Sequence, residues 1–210
     1  MSVQISLFGS RYVPTPTYKP SKKVRLELEK EHSAEAKELV GRICGSLAVD
    51  DFELGELRKH EEASFPGSWE TLLSIAPFAA YVAEHGTRPK GLKDLRSLED
   101  LKPPFGDYPL LASMTAWRAT TYGVPMDFAD ARVDEEDEEH GFVSSVRLLS
   151  ELNRLGPSLG LDRDAGELGP DAAEAIANKA EPFGDQVYTW LMLRWMARES
   201  VDQKVLFQIS

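Results

Sequence analysis

The chain opens on an alternation. In SVQISLFG, Val3, Ile5 and Leu7 take turns with polar residues, the period-two pattern of a half-buried strand. It closes on QKVLFQIS, whose valine, leucine, phenylalanine and isoleucine again favour a strand. Between the two ends the period is that of a helix. Apolar residues at 24, 28, 39, 40, 43 and 47 form a stripe that predicts a helix from Val24 to Leu47. A second helix is expected from Asp51 to about Ala63. Ser68 is placed to cap a third, SWETLLSIAPFAAYVAEHG, which Gly86 closes and Pro77 kinks or splits. Short amphipathic KGLKDLRSLEDL comes next, ended by Pro103 and Pro104. Further helices are expected from Asp107 to Gly123, through GFVSSVRLLSELNRLG to Gly156, along PDAAEAIANKAE with Pro170 in its first turn, and from Asp185 through Glu199.

One stretch is echoed by another. PFGDYPLLASMTAWRA, from Pro104, and PFGDQVYTWLMLRWMA, from Pro182, share seven residues in register. A proline that stops the preceding chain, a phenylalanine to pack, a glycine to turn and an aspartate to cap would start a helix each time. Ser68, Asp107 and Asp185 stand 39 and then 78 residues apart, the length scale of helix-pair repeats. The expected fold is therefore mainly α: a helix-pair body, αα-repeat-like or bundled, with a small β element from the N- and C-terminal strands. Residues 1–210 are expected to form one mainly helical domain. Residues 9–23 read as a Pro-rich basic connector after the first strand.

Composition narrows the functional classes. A hydrophobic share of 42% and a charged share of 28% are ordinary for a globular chain. No apolar run approaches the roughly 20 residues that span a bilayer, and no basic head precedes an apolar stretch, so neither membrane nor export is expected. The lone Cys44 rules out an internal disulfide framework and points to a reducing, cytoplasmic setting. The net charge of −11 is uneven, since residues 1–25 carry five basic residues and no acid. The remainder, at −16, argues against direct nucleic-acid binding and favours a basic protein partner.

The acidity peaks in one place. Asp134, Glu135, Glu136, Asp137, Glu138 and Glu139 run without a break into His140. As an EF-hand loop the run fails, lacking alternating ligands and the central glycine; as a docking patch for a basic partner it is more natural, and otherwise it is a solvated, self-repelling loop. LDRDAGELGPD fails as a calcium loop too and reads as a connector. Glu29 and His32, at Glu-x-x-His spacing, make half of a carboxylate–histidine metal site. Its only echo is Asp137-x-x-His140, so a satisfied histidine is the better reading. Arg194 and Arg198 interrupt the most apolar helix and need carboxylate or carbonyl partners, favourable placement in a last helical turn being the simplest account. No nucleophile elbow, P-loop, dinucleotide fingerprint or H-E-x-x-H is present, nothing in sequence activates Cys44, and His32, His60, His85 and His140 are scattered.

These features favour a non-enzymatic acidic module that binds a basic protein through Asp134–Glu139, in its most concrete form an immunity- or antitoxin-type inhibitor of a basic toxin or effector. Two readings stand beside it: a metal-binding helical enzyme centred on Glu29 and His32, and an inhibitor whose carboxylates imitate nucleic-acid phosphates. No cofactor and no resident metal are expected.

Overall fold

In the computed structural model, which describes residues 3–10, 12–13, 18, 20–57, 62–65, 69–102, 106–117, 120–134, 136–161 and 170–210, a mixed sheet runs through the centre of the chain. Its strands are β1 (Val3–Phe8), β2 (Glu62–Phe65), β3 (Thr120–Val124), β4 (Arg132–Val133), β5 (His140–Ser144) and β6 (Leu206–Ile209), in the order β2-β1-β6-β3-β5-β4. Only β3 and β5 run parallel. The terminal strands are neighbours, with Ile5 opposite Ile209 and Leu7 opposite Phe207. They lie inside a six-stranded sheet, however, and not in a small appendage. The helix-pair body expected from periodicity is thus overturned: the fold is a sheet with helices on both faces.

One helix covers one face. α1 (Lys22–Leu47) starts at Ser21, whose hydroxyl accepts from the Val24 N–H, and ends at Ala48 in the left-handed conformation. Its Leu39 and Ile43 pack on Tyr122, Val124, Phe142 and Leu206. The opposite face carries Val3, Ile5 and Leu7 of β1, Val143 of β5, and Phe207 and Ile209 of β6. Against it lie α2 (Trp69–Leu73), α3 (Ile75–His85), α4 (Pro109–Ala112), α5 (Ser145–Leu159), α6 (Pro170–Ala177) and α7 (Gly184–Gln203). Thirteen residues of α7 are buried, residues 186–197 without a break, so the middle of this helix is enclosed on every side although Gln186, Thr189 and Arg194 are among its buried residues. It touches α5 closely at Gly156, where an added Cβ would stand 2.7 Å from the Trp190 ring. The Trp190 indole donates to the Leu152 carbonyl at 2.7 Å.

Several expected elements are replaced. Residues 51–57 form no regular element, and 62–65 are strand β2, where a helix over 51–63 was expected. The helix around Pro77 is split at Ser74 into α2 and α3, Pro77 lying in the first turn of α3 and Gly86 closing it at φ 67°. KGLKDLRSLEDL forms two single 3-10 turns, Leu92–Asp94 and Leu98–Asp100. Gly123 does not end a helix but sits within β3, beneath the Phe207 ring. Gly156 does not end α5, which continues to Leu159 and closes on Gly160 in the left-handed conformation.

The PFGD echo is not repeated in space. After the first copy comes the four-residue α4, with Tyr108 at its N-cap and no side-chain cap bond. After the second comes the 20-residue α7, with Phe183 at the N-cap and Asp185 in the first turn. Neither Asp107 nor Asp185 is the cap, and Ser68 with the start of the first copy, residues 104–105, lies outside the described residues. The residues after each motif decide the outcome: Tyr108 and Pro109 lead to a brief helix and then to β3, whereas residues 186–197 are buried without a break.

Candidate interaction surface

The acidic run is the tip of the hairpin joining β4 to β5. The Asp134 N–H donates to the His140 carbonyl at 3.0 Å, and the His140 N–H to the Asp137 carbonyl at 2.9 Å. Two aspartates order the turn internally. Asp134 Oδ1 accepts from the Glu136 N–H at 2.9 Å, and Asp137 Oδ1 from the Glu139 N–H at 3.1 Å, the local side-chain-to-backbone bonding to which aspartate is suited. The described residues of the run thus form an ordered turn. It divides by role: Asp134 is 1% exposed, Asp137 is half-buried, and Glu136, Glu138 and Glu139 face solvent. Glu135 lies outside the described residues.

A single arginine from α1 holds this tip. Arg42 Nε donates to Asp134 Oδ2 at 2.5 Å, while Nη2 meets the same oxygen and His140 Nδ1 and lies 3.9 Å from Asp137 Oδ2. Its side chain is 16% exposed. His140 Nδ1 is also 3.2 Å from Asp137 Oδ2.

The flank of α1 that bears Arg42 continues the acidity. At 100° per residue, Glu27, Glu31, Glu35, Glu38 and Arg42 fall within an arc of about 80°, with about 6 Å of rise between glutamates four apart. All four glutamates are exposed and form no ion pair with a described residue. Lys23, Lys30 and Lys37 lie about 100° or more round from Arg42 by the same geometry. Helix flank and hairpin tip meet across a cleft of about 270 Å³ lined by Glu38, Gly41, Arg42, Gly45, Ser46, Asp134 and Glu136. Tyr122 lies beneath their junction. Burial chiefly raises its phenol pKa, Arg42 opposes this, and Glu35, Asp137 and Asp134 add to it.

The other candidate residues are otherwise engaged. His32 Nε2 is 2.7 Å from the Gly9 carbonyl, its ring centroid 4.5 Å from that of Phe8. Glu29 bonds Arg25 at 2.9 Å. Among the described residues no three His, Cys, Asp or Glu come together as metal ligands. Arg194 lies in mid-helix, not in a last turn, its Nε donating to Asn153 Oδ1 at 2.7 Å and its guanidinium 5.4 Å from the Trp190 ring centroid. Arg198 pairs with Glu199 at 3.0 Å. Burial, then the Asp51 carboxylate, push the Cys44 thiol pKa up, away from reactivity. No described helix is long and apolar enough to cross a membrane. What the sequence alone missed is Arg42, 92 residues from Asp134 along the chain.

The family model described as "Putative DNA-mimic protein" matches residues 118–207, which include β3, the acidic hairpin, α5, α6, α7 and the start of β6. No curated protein and no solved structure matches the chain. The matched segment holds 18 acidic and 9 basic residues, so it carries −9 of the net −11. The match corrects the partner expected from composition. Mimicry of DNA has a DNA-binding protein as its counterpart, which sets aside the basic toxin or effector and restores a nucleic-acid connection.

Proposed function

We propose that the protein is a cytoplasmic DNA mimic, which docks its acidic face on the DNA-binding surface of another protein and keeps DNA away from it. The family match over the acidic segment is the observation that carries this reading. Duplex DNA presents one charge per about 3.4 Å of axis on each strand. Glutamates rising about 4.5 to 6 Å apart along α1, with Glu136, Glu138 and Glu139 at the hairpin tip, offer a sparser array of the same sign. A cationic surface evolved for phosphates is attracted to such an array at long range and pairs with it at contact. The action is stoichiometric occlusion, with Asp134–Glu139 as the part of the chain most directly concerned.

The test is capture from a native lysate on the immobilised protein, followed by elution with duplex DNA at constant ionic strength. A DNA-binding protein that the duplex displaces, and that an E136Q/E138Q/E139Q variant retains poorly, is the expected result. A capture without any DNA-binding protein, or one that DNA does not displace, would defeat the reading.

A further inference from the structure

Arg42 is a cation set inside an acidic surface, and simple charge counting makes it a defect. Its geometry says otherwise. The guanidinium reaches from α1 to a carboxylate that is 1% exposed, to an imidazole nitrogen, and toward a second carboxylate, all on the hairpin tip. Those partners in turn hold the turn's backbone, Asp134 at the Glu136 N–H and Asp137 at the Glu139 N–H. A planar fork with several donors can serve such a set at once, where an ammonium acts as a point charge.

Resting on the function proposed above, we infer that Arg42 is the positioning residue of the acidic face: it gives up one negative charge to lock the hairpin tip against the α1 flank. Glu136, Glu138 and Glu139 on one side and Glu27, Glu31, Glu35 and Glu38 on the other then form one preorganised surface for a cationic partner. A rigid array binds with less loss of conformational freedom than a mobile one of greater charge. The residue that completes the face lies outside the family-matched segment.

The discriminating variant is Arg42→Gln, which takes the net charge from −11 to −12. The probe is a helical peptide of about 20 residues with arginines four apart. With α7 amide protection as in the wild type, the variant is expected to exchange the Glu136, Glu139 and His140 amides about tenfold faster or more. It should also bind the peptide about fivefold more weakly or worse, against the sign of its charge change. Unchanged protection overturns the inference, as does equal or tighter peptide binding. A wild-type chain that ignores the peptide refutes the single surface even if protection is lost. Arg42→Lys restores the charge without the fork and should recover only part of the protection; full recovery refutes the geometric account. Should lysate capture yield no DNA-binding protein while these results hold, the proposed function falls and the role of Arg42 stands.

Discussion

Asp134 and Glu138 belong to one unbroken acidic run, yet the structure assigns them opposite duties, and Asp134→Asn exposes the difference. Asparagine keeps the shape and removes the charge. Asp134 now uses both oxygens as acceptors, Oδ2 for Arg42 Nε at 2.5 Å and Oδ1 for the Glu136 N–H at 2.9 Å. An amide offers one oxygen, so its NH2 group must face one of those donors. Breaking a fully buried ion pair from one side costs about 3–5 kcal/mol, whereas an exposed pair contributes about 0–1 kcal/mol. Here the carboxylate is 1% exposed and the Arg42 side chain 16%, with His140 and Asp137 as substitute partners for the cation. The loss should fall between the limits, at about 2 kcal/mol. For a chain of this length that lowers Tm by about 4–8 °C. Urea denaturation, followed by tryptophan fluorescence and circular dichroism, would show a lower midpoint at unchanged slope. Glu138→Gln should leave the midpoint where it is. A loss below about 0.5 kcal/mol would put Asp134 among ordinary surface charges, and the pinned hairpin would be refuted.

Three further substitutions probe the framework beneath this face. Gly123→Ala would place a Cβ 1.9 Å from Phe207 Cε1, costing about 1–3 kcal/mol by overpacking. A companion Phe207→Leu change should recover part of that loss, and no recovery would locate the cost elsewhere. Ile43→Ala removes a wholly buried side chain of α1 from the sheet face and should cost about 2–5 kcal/mol in urea denaturation. Glu151 accepts the Leu110 and Leu111 N–H groups from within the core. Burial raises its carboxyl pKa despite those bonds and the Arg154 and Arg147 charges. The folded chain therefore holds this proton longer than the unfolded one. The resulting stability is complete below the unfolded value and lost as pH rises through the raised one. Glu151→Gln should remove that decline from a plot of urea midpoint against pH, and an identical slope in both proteins would disprove it.

How far the sequence carried depended on the length of each pattern and on where its partners lie. The stripe of α1 runs over 26 residues and was legible; so was the alternation of Val3, Ile5 and Leu7. Strands β3 and β5 span five residues each, too few for a period of two to stand out beside longer helix-like stretches. Thr120, Thr121, Tyr122 and Val124 carried the β-branched and aromatic signal that could have marked β3. Helix α7 betrays no face because residues 186–197 are buried all round, which left Asp185 and the PFGD echo to suggest a cap that Phe183 occupies instead. The acidic run was plain to see. The division of its described carboxylates into one buried, one half-buried and three exposed was not, because that depends on an arginine 92 positions away.

The boundary of the family match gains meaning from the sheet order. Strands β6, β3, β5 and β4 are consecutive in space, and the match takes in all of them but the last residues of β6. It also supplies α5 and α7, which cover one face. The other face of the same strands, with Tyr122, Val124, Phe142 and Leu206, is closed by Leu39 and Ile43 from outside the matched segment. Left uncovered, those four buried side chains would form an apolar patch beside the acidic tip, an invitation to association. In this chain α1 does two things with one helix. Its inner face shields the patch, and its flank brings Arg42 and the glutamates to the hairpin. The acidic hairpin thus depends on a segment far earlier in the chain both for its dry side and for its fixed geometry.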